Sequence, residues 1–304
     1  MTGLTDFITE ANWEDILTVW LVLVDDAYQA LQTQFGPIRR RGPQPAFSDS
    51  EVITVGLLID TFFHGHEALG LSFLRQYHPD LFPALLPEGQ FNARRRELRM
   101  ITEQIRQYLT RSWGLVDPKD NCRLVDSAPI PVCTYGRASR NRTVNGSEYF
   151  SVMKSRGAKL FGMRLYLTVT STQVIDQWML APSAPHDGKM MAAFLEDAHD
   201  MILFGDGAFH DPAEINYLSY NRNIKVFAPP RKDAKSNPWP QKFRRWAGRL
   251  RRKIETTLSV LVTVFNVEQL GSRSLYGLMT RVASRLLAYN LCFIVGPILA
   301  QLEA

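Results

Sequence analysis

Several absences narrow the function classes open to this chain. It has only three cysteines in 304 residues, at 122, 133 and 292. Their spacing supports neither a disulfide framework nor a zinc site, which favours a reducing cytosol. No apolar run reaches the ~20 residues that a membrane helix needs. Residues 16–24 are too few, and 286–300 contain Asn290 and a Gly296-Pro297 break, so no membrane span is expected. The opening MTGLTDFITEANWED lacks the cationic and apolar regions of a secretory signal. There is no Gly-x-Ser-x-Gly elbow, and the P-loop glycine spacing of Gly157 and Gly162 is followed by Met163-Arg164 instead of Lys-Ser/Thr. Hydrolase-triad and NTPase readings both fail. Internal repeats and low-complexity tracts are also missing. What is present, 45% hydrophobic and 21% charged residues, is globular material for one large domain or two modest ones.

Net charge is only +5, but its distribution is uneven. Residues 231–253 hold ten basic side chains (including Arg231, Lys232, Arg244, Arg245, Arg249, Arg251 and Arg252) against the single Asp233. A second basic stretch carries Arg137, Arg140, Arg142, Lys154, Arg156, Lys159 and Arg164, opposed only by Glu148. Two basic strips on a nearly balanced chain suggest a polyanion partner, although either alone also suits a solvated face.

Apolar residues at helical spacing run from residue 10 to about 115, for example Trp13, Leu17, Trp20, Leu21 and Val24. Ser48 with Glu51 fits a capping box ahead of VITVGLLIDTFF. Gln90 to Leu109 reads as a basic helix with Arg94, Arg95, Arg96 and Arg99. The texture changes at Asn121: CRLVDSAPIPV, LFGMRLYLTVT and QVIDQWMLAP read as three strands. DGKMMAAFLEDAHD then reads as a helix, MILFGD as a buried strand, DPAEINYLSYNR as a helix and IKVFAPP as a fifth strand. An amphipathic helix over about 243–266 and another over about 274–295 complete the chain. The expected organisation is an all-helical domain (1–118), an α/β domain with a mixed five-stranded sheet (119–272), and a C-terminal helix packed on the latter (273–304).

Three acids stand out in the α/β region. Asp126 sits in an apolar strand where Pro129 and Pro131 are expected to stop ladder pairing. Asp206 ends the buried strand between Gly205 and Gly207, and Glu255 follows the core-facing Ile254 on the long helix. Singly, each has an ordinary structural use: a turn or capping aspartate, or an ion pair between Glu255 and Arg251 at i−4. Jointly, carboxylates on the first strand, the fourth strand and the helix after the fifth strand can converge on one sheet edge. An all-oxygen set suits Mg²⁺ or Mn²⁺ rather than zinc. Elsewhere, Asp187 of His186-Asp187 reads most simply as a helix N-cap, and His64-Gly-His66 as a helix end. Trp239, Phe243 and Trp246 could stack on bases or anchor the basic helix.

The segments VDSAPIPVC, APSAPHD, LFGDGAFHD, APPRKDA and RRKIETTLSVL resemble successive motifs of the DDE transposases of bacterial insertion sequences, over about residues 90–270. That resemblance implies an RNase H-like catalytic core preceded by a helical domain. It also implies that Asp126, Asp206 and Glu255, at intervals of 80 and 49 residues, form the catalytic and metal-binding triad for two Mg²⁺ or Mn²⁺ ions. The second interval leaves no room for a large inserted domain. Arg251 matches the Arg of families that carry Tyr and Arg before the Glu and Lys after it, whereas Gly248 and Val262 stand in place of the Tyr and Lys. His186 and Asp187 would support the site. The implied activity is metal-dependent hydrolysis at element ends and strand transfer into target DNA. Arg94, Arg95, Arg96 and the 231–252 cations would contact double-stranded DNA, both terminal inverted repeats and target, in at least a dimer. The expected location is the bacterial cytoplasm, associated with the nucleoid when DNA is bound. The alternatives are an RNase H-like nuclease that stops at hydrolysis and a DNA-binding descendant that no longer cleaves.

Overall fold

The computed structural model describes residues 5, 13–38, 42–153, 157–230 and 239–302, in two compact units: Met1–Leu115 with Leu261–Ala304, and Val116–Val260. The first begins with helices α1 (Trp13–Phe35), α2 (Asp49–Phe62), α3 (Glu67–Tyr77), α4 (Glu88–Glu97) and α5 (Arg99–Ser112). The second contains β1 (Cys122–Cys133), β2 (Phe150–Met153), β3 (Ala158–Val169), β4 (Ile175–Pro182), the one-turn α6 (Met191–Phe194), β5 (Ile202–Phe204), α7 (Pro212–Arg222), β6 (Lys225–Phe227) and α8 (Gln241–Thr263). A last helix, α9 (Leu275–Leu302), belongs to the helical unit.

The helical unit is therefore discontinuous in sequence. α9 was expected to close on the α/β region; instead it packs against α1, α2 and α5. Its side chains explain the choice: Val282, Leu286, Leu287, Leu291 and Val295 are all buried, so the helix needs apolar neighbours on several sides. Its stretch from Leu275 to Gln301 is long and apolar enough to cross a membrane, but most of it is buried inside the protein, as in the core helix of a globular unit. α2 starts as the sequence predicts: Ser48 Oγ accepts from Glu51 N at 3.1 Å, and the Glu51 carboxylate accepts from Ser48 N at 2.6 Å. His64 and His66 flank the turn that ends α2, where Gly65 N donates to Ile59 O.

Because α2 is buried on nearly every side, it takes Asp49 and Asp60 into the interior. Buried carboxylates need partners, and the basic helix supplies them. Arg94 pairs with Asp49, while Arg95 pairs with Asp60 and, at 3.0 Å, with Glu67. The expectation that Arg94 and Arg95 face DNA is thus corrected: Arg95 is 4% exposed and committed inside the unit, and Arg94 is mostly covered. Arg96 remains exposed.

In the α/β unit the sheet runs β2-β3-β1-β5-β6, with β4 paired to β3 as well. The β1–β3, β2–β3 and β3–β4 pairs are antiparallel, whereas β1–β5 and β5–β6 are parallel. Three long antiparallel strands flanked by two short parallel ones form the RNase H-like sheet, here with β2 as a sixth strand that the sequence did not reveal. The expected helix at 187–200 is also absent as a unit; a 3₁₀ turn at Asp187–Met190 leads into α6. A core of Val125, Tyr166, Leu195, Leu203, Phe209 and Leu218 lies beneath the sheet.

Pro129 and Pro131 do not end β1. The strand pairs with β3 as far as Cys133, with Pro129 opposite Arg164 and Pro131 opposite Gly162. Ile130 O and Val132 N face Gly162, whose missing side chain allows the approach: a Cβ there would sit 2.2 Å from Ile130 O. The positions alternate, so the prolines direct their missing N–H groups away from β3. On that other edge, β5 pairing stops at Leu124.

Removing the Asp60 carboxylate with Asp60→Ala leaves Arg95 partly unneutralised in the interior and is expected to cost roughly 3–5 kcal/mol. Arg96→Ala is expected to change stability by less than about 0.5 kcal/mol. Urea denaturation of the two variants against wild type checks the contrast.

Candidate active site

The parallel register aligns the first two acids. Leu124 is the last β1 residue paired with β5, opposite Phe204. Two residues further along each chain come Asp126 and Asp206. Asp206 accepts from Ala208 N at 2.8 Å, which fixes its carboxylate at the start of the 3₁₀ turn Gly207–Phe209. Gly205 is required beside it, because a Cβ would lie 2.9 Å from a Val125 methyl and 3.1 Å from Phe209. The close approach at this glycine is made by core side chains.

Asp126 is partly buried and accepts from Ser127 N at 2.7 Å. Burial, with the negative charges of Asp206 and Asp187, pushes its carboxyl up to about 7, against the opposing pull of the Ser127 amide and the Arg251 guanidinium. The structure therefore brings Asp206, Asp187 and Arg251 within electrostatic reach of Asp126.

Asp187 is no helix cap. It is buried, and its carboxylate accepts from Tyr166 Oη at 2.9 Å, from Arg164 Nη1 at 3.0 Å and from Ser127 Oγ at 3.3 Å. Arg164 Nη1 also donates to Ser127 Oγ at 3.1 Å. The network runs from the turn after β4, across β3, to the residue following Asp126. Burial and Asp187 push the Tyr166 hydroxyl far above the usual phenol range. Ser127, Arg164 and Tyr166 were not identified from sequence. The available signal was an Arg and a Tyr two residues apart, hence on one strand face, in an otherwise apolar run. His186 immediately precedes the turn, and its carbonyl accepts from Lys189 N at 3.0 Å.

Glu255 stands apart from these groups. Its side chain is 51% exposed and pairs with Arg251 at 3.1 Å, the ordinary surface use weighed for it. Among the described residues, no three His, Cys, Asp or Glu side chains are grouped to hold a metal ion. Asp126 and Asp206 adjoin across the parallel strands, and Glu255 pairs with Arg251, the guanidinium felt by Asp126.

Helix α8 is held at both ends of its basic stretch. Phe204 of β5 and Phe227 of β6 stack with centroids 5.2 Å apart; Trp246 lies edge-on to Phe204 at 5.3 Å, and Phe243 lies 5.6 Å from Phe227. Trp239 joins Phe243 at 5.2 Å. These aromatics thus anchor the helix, each pair adding about 0.5–1.5 kcal/mol beyond its buried area. Further along, Lys253 Nζ donates to Ser171 O at 2.7 Å and Gln173 Nε2 to Lys253 O at 3.0 Å. Between these anchors, Arg244, Arg245, Arg249 and Arg252 are exposed and make no ion pair among the described residues. Arg231, Lys232, Lys235, Lys154 and Arg156 lie outside the described residues. Arg244, Gly248 and Arg251 border a pocket of ≈ 110 Å³ backed by Phe204, Phe227 and Trp239.

A family model described as "Transposase DDE domain" matches residues 117–275, more than half of the chain. Comparison with curated proteins gives no significant match. Solved structures similar to the chain include the Mos1 transposase paired-end complex with left transposon end, at 13% identity over 79% of this chain and 85% of that one. Another is the Mos1 strand transfer complex, at 10% identity over 92% and 96%. A third is the Mos1 mariner paired-end complex with Mn, at 11% identity over 84% and 98%. The TM-score is 0.22 in each case.

The folded state binds the Asp126 proton more tightly than the unfolded chain does, so this residue lowers stability as pH rises from about 4 through about 7. Asp126→Asn keeps an acceptor for Ser127 N and removes the charge. It is expected to flatten that part of the pH profile and to be more stable than wild type at pH ~8, each tenfold change in proton affinity being worth about 1.4 kcal/mol. Urea unfolding across pH 4–8, without divalent ions, checks both.

Proposed function

Because this chain belongs to the transposase DDE-domain family, we propose that Asp126, Asp206 and Glu255 form its catalytic carboxylate set, cutting DNA at element ends and joining the freed end to target DNA. The alignment of Asp126 with Asp206 beyond the last β1–β5 pair carries this reading. Two adjacent carboxylates, with the charge of Asp206 raising the proton affinity of Asp126, gain from a shared cation, and their all-oxygen chemistry suits Mg²⁺ or Mn²⁺. Asp126 and Asp206 would hold the cations, with Glu255 joining after exchanging its Arg251 partner. A two-ion site supplies Lewis-acid activation of the attacking oxygen and charge neutralisation at the leaving oxygen.

The first reaction is water attack on a phosphodiester, which breaks the P–O3′ bond and leaves a 3′-hydroxyl and a 5′-phosphate. In the second, that 3′-hydroxyl attacks a target phosphodiester in line, loses its proton and displaces the target's 3′-oxygen. The protein's contribution is position and charge. The Asp206 turn fixes one carboxylate. The Asp187–Arg164–Tyr166 network fixes Ser127 and with it the amide that orients Asp126, while His186 begins the turn that carries Asp187. Arg244, Arg245, Arg249 and Arg252 bind DNA phosphates along α8, Arg251 does so once released from Glu255, and Arg96 adds a contact from the helical unit, which would bind the terminal inverted repeats. Arg231 and Lys232 extend the same basic run in the sequence. Two ends joined in one reaction require at least a dimer. Free Cys122, Cys133 and Cys292 suit a reducing bacterial cytoplasm.

One observation favours a second reading. The Arg251–Glu255 pair leaves, among the described residues, Asp126 and Asp206 side by side without a third acid grouped with them to hold a metal, which is the state expected of a DNA-binding descendant that no longer cleaves.

The readings separate in assays with Mg²⁺ and Mn²⁺ on DNA carrying this gene with its natural flanks. Folded Asp126→Ala, Asp206→Ala and Glu255→Ala are each expected to lose cleavage by at least about a hundredfold while still binding DNA. Cleavage with joined product establishes a transposase, and cleavage without joining favours a nuclease. DNA binding by wild type with no cleavage in either metal sustains the second reading. Asp187→Asn is expected to lower kcat about ten- to a hundredfold at unchanged DNA affinity, as a positioning residue does.

A further inference from the structure

The strands of the α/β unit differ greatly in length. β1 and β3 have twelve residues each, β5 and β6 only three. Since β5 pairing ends at Leu124, β1 runs on from Asp126 to Cys133 with β3 as its ladder partner. Seven further residues at ~3.3 Å each carry the strand roughly 20–25 Å past the carboxylates. The result is a twisted β arm, and Pro129 and Pro131 blunt its far edge against strand addition.

The arm ends in the connection from β1 to β2, residues 134–149. Arg137, Arg140 and Arg142 are exposed there and make no ion pair among the described residues. Lys159, at the start of β3, lies over the Tyr135 ring at 5.2 Å, and Tyr135 meets Phe150 edge-on at 5.3 Å. Glu148 is the one acid in the connection. Three unpaired guanidinium groups at the end of a strand rooted beside Asp126 gain little from internal electrostatics. α8, with its own unpaired arginines, is anchored on β5 and β6 at the opposite side of the sheet. The arm of the basic stretch that holds Arg164 is different, since that residue is committed to Asp187.

We propose that the β1–β3 arm is a second DNA-binding surface, whose Arg137, Arg140 and Arg142 grip the phosphates of a duplex lying across the active site. This rests on the transposase reading above for the position of the scissile phosphate, and it assigns a contact that the triad does not. Duplex DNA rises 3.4 Å per base pair along each strand. An arm of roughly 20–25 Å therefore places the three arginines about six or seven base pairs to one side of the phosphate held at Asp126. Contacts of this kind fix the path of the duplex without reading its sequence.

The test compares wild type, Arg137→Gln/Arg140→Gln/Arg142→Gln, and the charge-matched Arg244→Gln/Arg249→Gln/Arg252→Gln, on the flank-bearing DNA used above. Two readouts are taken: the slope of log affinity against log salt, and hydroxyl-radical protection relative to the wild-type nick. The arm variant is expected to lower the slope by about 2–3, near 0.9 per lost phosphate contact. It should also lose protection centred six or seven base pairs from the nick on one side, while the α8 variant keeps that protection and loses another. An arm variant with unchanged slope and footprint on DNA that wild type still nicks overturns the arm and leaves the transposase reading intact. If wild type binds without nicking, the catalytic reading fails, and the slope of the arm variant alone decides the arm: lowered supports it, unchanged overturns it. Wild type that binds no DNA overturns both.

Discussion

The parallel pairing of β1 with β5 is the constraint from which the site follows. It spans only three residue pairs, Cys122–Ile202, Arg123–Leu203 and Leu124–Phe204, yet it fixes the register in which Asp126 and Asp206 emerge. A slip of one residue would turn each side chain to the other face of the sheet. Register is protected where a face is buried, and here Val125, Leu203 and Phe209 sit in the core beneath the strands. Gly205 permits that packing, so the small residue beside Asp206 serves the alignment of the carboxylates.

Two further devices convert alignment into a site. The Asp187–Arg164–Tyr166–Ser127 network braces the backbone amide that orients Asp126. The ring cluster of Phe204, Phe227, Phe243 and Trp246 fastens α8 to the same short strands that define the register. Fastening at the aromatic end and at Lys253 presents a row of cations between two fixed points. Self-repulsion among unpaired arginines opposes compactness. They are tolerated because the helix is secured by apolar and hydrogen-bonding contacts that do not depend on them.

The two groups of arginines show how similar sequence texture acquires different uses. Arg94 and Arg95 look no different in sequence from Arg244 and Arg245. The first pair lies opposite Asp49, Asp60 and Glu67, which α2 and α3 carry into a covered interior, and is used to neutralise them. The second pair makes no ion pair with an acid among the described residues and remains in solvent. Net charge per segment predicts neither outcome, because pairing depends on acids distant in sequence.

What the sequence determined by itself is local or periodic. The capping box at Ser48, the strands around Asp126 and Asp206, the α7 start at Pro212 and the long basic helix were all legible from short-range chemistry. So was the membership of the DDE family, carried by motifs that span these elements. The tertiary structure decided what depends on long-range neighbours. It placed α9 in the helical unit because that helix needs apolar cover, and it added β2 as an edge strand. It also gave Asp187 to Arg164 and Tyr166, neither of which is near it in sequence. The continuation of β1 through two prolines was hidden for the same reason: a proline bars pairing only on the side where its N–H would point, and only the assembled sheet says which side is occupied.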